Sequence, residues 1–187
     1  MKTKNRKINY GIIGCGRVFP VHVQAIKADK NAKLKAVFDI DQKVSRAAAK
    51  KHSCESKNSL AALLADPEID VITIATPHNT HKALVLKVMQ SGKKCICEKP
   101  LCLNKKEGLE IINSQYYKNN VFVMFQNRLN PAMQFLLKVL KSGALGKIRL
   151  CSVTLRWWRG EDYFEDWHGQ KSKVGGMLYN QAAHVLD

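Results

Sequence analysis

No run of about 18 consecutive apolar residues occurs in the chain, so no segment reads as a membrane-spanning helix. The first ten residues, MKTKNRKINY, pass directly from charge into a strand-like run without the apolar stretch of a signal peptide. A cytoplasmic location without membrane attachment is expected. None of the six cysteines forms a CxxC pair, and no Cys/His grouping has zinc-finger spacing, so no metal centre is expected. Cys15, Cys54, Cys95, Cys97, Cys102 and Cys151 sit mostly inside apolar runs, where a thiol behaves as a small hydrophobe. Internal repeats and low-complexity linkers are absent. Acidic residues are scarce, 15 against 31 Lys and Arg, which leaves a net charge of +16. Nucleic-acid binding would need those cations clustered on one surface. They are scattered, with acids interleaved, and no RNA-binding aromatic signature or recognition helix accompanies them. A solvated basic surface that also attracts an anionic cofactor or substrate is the reading, and no nucleic-acid partner is expected.

What is present alternates between strand and helix. Ile8–Gly14, Leu34–Asp39, Val71–Pro77, Cys95–Lys99 and Val121–Gln126 are short apolar or β-branched runs flanked by turns, the pattern of parallel strands buried on both faces. Between them, Val18, Val21, His22, Ala25 and Ile26 share one helical face, as do Leu84, Val85, Val88 and Met89, and later Met133, Leu136, Leu137 and Leu140. Gly92 suits a helix C-terminus. Repeated β-α-β units imply an α/β fold, a doubly wound parallel sheet with right-handed crossovers. After Arg128 the pattern changes. A helix ends near Gly143, Ile148–Trp158 reads as a strand, Arg159–Lys173 is irregular and polar, and a helix begins at Gly176 and runs to Asp187. Residues 1–127 are therefore expected to form a dinucleotide-binding Rossmann domain. Residues 128–187 are expected to be the incomplete start of an α+β catalytic domain.

Gly14-Cys-Gly16-Arg17 closes the first strand and opens the first helix, and Asp39 follows 25 positions after Gly14 at the end of the next strand. In that context Gly14 permits a tight turn, and Gly16 lets the backbone approach a pyrophosphate at the helix N-terminus beside Arg17 and Val18. A carboxylate at Asp39 accepts hydrogen bonds from ribose hydroxyls and repels a 2′-phosphate, which favours NAD over NADP. Lys43 and Arg46 read as exposed helix residues. Where a third small residue normally allows close helix–strand packing, this chain has Phe19, so the helix is expected to stand off the sheet or to turn the ring outward.

Later motifs join this one. Thr76-Pro77-His78-Asn79-Thr80-His81 follows the third of these strands, Glu98-Lys99-Pro100 ends the fourth, Gln126-Asn127-Arg128 ends the fifth, and Gly175-Gly176 precedes Asn180 and His184. Taken with the glycine loop, in this order and spacing across essentially the whole chain, they resemble the Gfo/Idh/MocA oxidoreductases. That resemblance implies an NAD(P)-dependent dehydrogenase acting on the CH–OH group of a sugar or nucleotide sugar, a homo-oligomer in its full-length form. It implies that Lys99 and His184 are catalytic. It places Thr76, Pro77, Asn79, His81, Glu98, Lys99, Gln126 and Arg128 at the cofactor with the glycine loop and Asp39, and Lys99, Arg128, Trp167, Asn180 and His184 at the substrate.

Read from the residues alone, Lys99 is either a proton acceptor with a pKa lowered by burial or a strand-end lysine paired with Glu98. A lone helical histidine such as His184 is more often structural, although its pKa suits proton transfer near neutrality. His22 is expected to pack beneath the first helix. Many family members carry aspartate where Asn180 stands. Asparagine is no base, so the proton must pass through Lys99 or His184. In this respect, and in the stretch Tyr163–Gly176, the chain resembles the branch that includes UDP-N-acetylglucosaminuronate 3-dehydrogenases. A cyclitol or aldose dehydrogenase of the same family, and a non-catalytic NAD-binding fragment, stay open as alternatives.

Overall fold

The computed structural model describes residues 6–117 and 120–187. The first part is a layered α/β unit. In chain order it runs β1 (Ile8–Ile13), α1 (Phe19–Ala28), β2 (Ala32–Phe38), α2 (Gln42–His52), β3 (Glu55–Ser56), α3 (Leu60–Ala65), β4 (Val71–Ile74), α4 (His81–Gln90), β5 (Lys94–Glu98), α5 (Lys105–Ile112) and β6 (Val121–Met124). All pairings are parallel, and the strands lie in the order β3-β2-β1-β4-β5-β6. The order reverses at β1 and β4, where an open parallel sheet forms a crevice beyond the carboxyl ends of its strands.

Alternation along the strands builds a core on each face. Ile13, Ile72, Ile74, Cys95 and Cys97 face Leu63 of α3, Val85, Val88 and Met89 of α4 and Ile111 of α5. Ile12 and Val37 face Phe19, Val23 and Ile26 of α1 and Ala49 of α2. The register against β1 slips between Tyr10 and Gly11, so that Leu34 pairs with Tyr10 and Ala36 with Gly11. The extra residue, Lys35, reverses the parity of β2 and sends Leu34 and Ala36 to opposite cores.

Two expectations for α1 need correction. Its buried face is Phe19, His22, Val23 and Ile26, while Val18, Val21 and Ala25 are exposed. The Phe19 ring points inward, 4% exposed, and meets the His52 ring edge-on at 5.5 Å. The bulky residue thus fills the space between α1 and α2. The face of α4 and the left-handed turn at Gly92 (φ 76°) are as expected.

Beyond β6 the chain forms α6 (Pro131–Lys141), α7 (Lys171–Val174) and α8 (Ala183–Leu186), with single turns between them and a π-turn over Leu178–Ala182. Ile148–Trp158 is not a strand. It is irregular and largely exposed, Leu150 by 85%. A strand needs a ladder partner, and none of the described strands pairs with it. The expected helix from Gly176 starts later, because Gly175 and Gly176 both take the left-handed conformation, φ 79° and 87°. The expected face of α6 is present, yet no residue of that helix is buried. Of the six cysteines, Cys95 and Cys97 are buried, Cys15, Cys54 and Cys102 are half-buried, and Cys151 is exposed against expectation.

Candidate active site

The glycine loop follows directly from β1. Gly14 has φ 92°, and a Cβ there would lie 2.5 Å from the Ala75 carbonyl oxygen, so glycine is required both by conformation and by the close approach of the β4 loop. A Cβ on Gly16 would meet nothing within 4 Å, which leaves the backbone open on that side. Helices α2, α3, α5 and α6 are capped by the side chains of Asp41, Ser59, Asn104 and Asn130, whereas no side chain caps α1. An uncapped N-terminus behind an open glycine loop suits a diphosphate. Asp39, at the end of β2, accepts from the Cys15 amide at 2.8 Å through Oδ2 and from the Asp41 amide at 2.9 Å through Oδ1. Each oxygen keeps lone pairs for a ribose diol.

The β4 loop is braced internally. Thr76 Oγ1 bonds Thr80 Oγ1 at 2.7 Å, and Thr80 Oγ1 donates to the Pro77 carbonyl. Asn79 is exposed. His81, expected at the cofactor, is instead fully buried, with both ring nitrogens occupied by the Pro100 and Thr76 carbonyls at 2.7 and 2.8 Å. It joins the β4 loop to the cis Lys99-Pro100 turn. His78 is buried against the Trp167 ring at 4.8 Å, its Nδ1 on the Val174 carbonyl. Burial pushes its pKa down to about 4.

Glu98 and Lys99 are consecutive at the end of β5 and part company. Glu98 pairs with His22 of α1, Nε2 to Oε1 at 2.8 Å. Lys99 donates to the backbone carbonyl of Asn180. The expected alternative of a Lys99–Glu98 pair is therefore not formed, and His22 contacts Glu98 as well as packing under α1. Burial lowers the Lys99 pKa, and Glu98 opposes that shift. His184, 9% exposed, lies edge-on to the Phe125 ring at 6.5 Å. Its Nδ1 is buried without a partner among the described residues. Burial first, then the Lys99 charge, lower its pKa. Lys99 and His184 are thus both shifted towards their neutral forms, chiefly by burial.

The remaining expected residues divide. Asn180 donates through Nδ2 to the Tyr163 hydroxyl at 2.8 Å, so the backbone of Asn180, not its amide, meets Lys99. The Tyr163 ring lies within 5.2 Å of the Arg17 guanidinium and 5.1 Å of that of Arg159. Arg17 also approaches Asp166 at 3.8 Å. Tyr163 is thereby the link between the glycine loop and the π-turn. Gln126 is exposed at the end of β6. Arg128 is held by Asp187 in a two-pronged pair at 2.5 Å and covers the Phe125 ring. Among the described residues, no three His, Cys, Asp or Glu side chains are grouped to hold a metal ion. Sequence reasoning missed the roles of Tyr163, Asp187 and the His22–Glu98 pair. The one sequence signal was His22 on the first helix, six positions after Gly16.

Comparisons agree with this geometry. Residues 8–126 match the family model described as an oxidoreductase family with an NAD-binding Rossmann fold, and residues 133–187 match the GFO/IDH/MocA C-terminal domain. The WlbA dehydrogenase of Bordetella pertussis, solved with NADH and UDP-GlcNAcA, superposes with a TM-score of 0.90 at 30% identity, over 97% of this chain and 54% of that one. The inositol 2-dehydrogenase of Rhizobium meliloti (strain 1021) is 29% identical over 80% of this chain and 45% of its own length. The 2,7-anhydro-N-acetylneuraminate hydratase of Escherichia coli (strain K12) is 28% identical over 96% and 48% respectively. The chain spans about half the length of these curated relatives. With an NAD-binding Rossmann sheet followed by the matching second segment, the chain belongs to the Gfo/Idh/MocA oxidoreductase family.

Proposed function

We propose that this chain binds NAD along the carboxyl edge of its sheet and contributes Lys99 and His184 to hydride transfer between that cofactor and a hydroxyl of a sugar or nucleotide sugar. The observation that carries the reading is the meeting of Lys99 with the Asn180 carbonyl, four residues before His184 with its unpartnered buried Nδ1, in a chain whose glycine loop is open. When bound, the nicotinamide supplies the hydride acceptor. Gly14, Gly16, Arg17 and Val18 hold the diphosphate end, and Asp39 holds the ribose and disfavours a 2′-phosphate. Thr76, Pro77 and Asn79 line the middle of the edge. Glu98, Lys99, Gln126 and Arg128 lie towards the reacting end. Lys99 orients the substrate hydroxyl, and its neutral amine or the His184 imidazole takes the hydroxyl proton. Asn180 and Trp167 border the sugar.

A nucleotide-linked sugar is supported by the likeness to WlbA and by Asn180 in place of an aspartate. We read residues 1–127 as the cofactor domain and 128–187 as the beginning of the catalytic domain. The end of the sheet at Met124 and the two family matches support that division. The family resemblance also supports a cytoplasmic protein that acts as a homo-oligomer, and no described helix is long and apolar enough to cross a membrane.

The test is calorimetric titration of the folded chain with NAD and with NADP. Saturable NAD binding, weakened at least about tenfold in Asp39→Ala, is expected, that loss being about 1.4 kcal/mol. A folded chain that binds neither dinucleotide overturns the proposal. The uncovered face of α6 favours a second reading of the isolated chain, cofactor binding without turnover. NAD binding with no NADH formed from UDP-N-acetylglucosaminuronate would select it.

A further inference from the structure

Glu98 is a carboxylate placed among groups that its charge affects. It favours the protonated forms of Lys99, His81 and His184, in each case against burial. Its own side chain is 18% exposed, and among the described residues it hydrogen-bonds His22, itself 9% exposed. Lys99, the nearest cation in sequence, bonds a neutral carbonyl instead. Successive strand residues point to opposite faces, so β5 sends Glu98 to the α1 side and leaves Lys99 turned towards Asn180. Nothing in that alternation alone would keep a flexible glutamate from folding back on an ammonium one residue away. A half-buried carboxylate that loses its hydrogen-bond donor is left undersatisfied, and the cation next to it in sequence is Lys99. Such a pair would hold the lysine charged and occupied. His22 stands on the helix that opens behind the glycine loop, so the contact also fixes α1 to the strand end that carries Lys99.

We propose that His22 is a positioning residue: by holding Glu98 against α1, it keeps that carboxylate off Lys99 and leaves the lysine free for a substrate hydroxyl. The consequence for Lys99 rests on its catalytic role proposed above, while the geometry of the pair does not. Lys99 is faced by Glu98 from its own strand, by His184 from α8, and by His78 and His81 from the β4 loop and α4. Glu98 is faced by His22 from α1.

The experiment measures the ionisation of Lys99 directly, by the pH dependence of its acylation with a trace electrophile, quantified by mass spectrometry. In His22→Leu the midpoint of Lys99 should rise by about one unit, which lowers its reactive neutral fraction about tenfold at a fixed pH below the midpoint. His22→Gln, which restores a donor to Glu98, should return the midpoint towards that of the unaltered chain. Glu98→Gln in the His22→Leu background should remove the rise, because no carboxylate remains to pair. Should His22→Leu fail to fold, His22→Ala takes its place with the same expectation: a raised Lys99 midpoint that Glu98→Gln in the same background removes. A Lys99 titration that is the same in all folded variants overturns it. NADH binding, followed in parallel by fluorescence, separates the two proposals. Its absence from the folded unaltered chain removes the functional reading, whereas an unmoved Lys99 midpoint removes the positioning role.

Discussion

Helices α4 and α6 are built to the same pattern and meet different fates. Each carries apolar residues at helical spacing, but α4 buries Val85, Val88 and Met89 against the sheet, while α6 leaves Leu136, Leu137 and Leu140 between 38% and 43% exposed. The same contrast separates β1–β6 from Ile148–Trp158, one set paired strand to strand and the other without a ladder. An amphipathic pattern states which face a segment offers, and stability comes only when another element accepts it. The region up to Met124 is closed on itself. The region after it leans back on the first through His78–Val174 and Lys99–Asn180, and is tied within itself by Arg128–Asp187.

Substitutions can sharpen or break this contrast. The largest effect is expected for Ile72→Ala at the centre of the sheet, a loss of about 2–5 kcal/mol in denaturant unfolding. The matching change Leu136→Ala on α6 should stay within about 0.5 kcal/mol. Equal losses would mean that α6 is covered in solution. Gly14→Ala combines a left-handed φ with a contact against Ala75, and should cost about 1–3 kcal/mol together with dinucleotide binding. A smaller pair of changes tests the helix caps. Asn104→Ala removes the cap of α5 and should lower global stability by about 1 kcal/mol. Asn130→Ala removes the equivalent cap of α6 and should lower local helicity with little change in the global midpoint. A further effect concerns pH. Since the folded His78 pKa, about 4, lies below the ordinary 6.5, the unfolded chain binds more protons between these values. Stability should therefore fall as the pH drops through that window, and thermal melts of His78→Gln should show a flatter slope.

How much of this was legible beforehand follows from the range of the forces involved. Five of the six strands were readable because short apolar runs bounded by turns have few other fates. The sixth, Glu55–Ser56, has only two residues at the sheet edge and no such run. The face of α1 was read correctly at His22 and Ile26 but not at Val18, Val21 and Ala25, because these offer a helical spacing as good as that of Phe19 and Val23, and only the exit from the glycine loop chooses between them. Residues at strand ends were legible as a crevice. Their partners were not: His22 and Glu98 lie 76 positions apart, and Arg128 and Asp187 lie 59 apart. For His81, a motif position suggested ligand contact, but two backbone carbonyls occupy its ring.

The distribution of the thiols gives the molecule two clocks. Cys151 lies exposed in the unpaired segment, while Cys95 and Cys97 are sealed in the sheet, where burial raises the pKa of both, that of Cys95 to about 12. A thiol-specific alkylating reagent reacts with the thiolate. Its first stoichiometric hit therefore times the accessibility of the second region, and the later hits at β5 time the opening of the sheet. Mass spectra taken along a single labelling course would then set the opening of the sheet against the open access of the second region without an engineered probe.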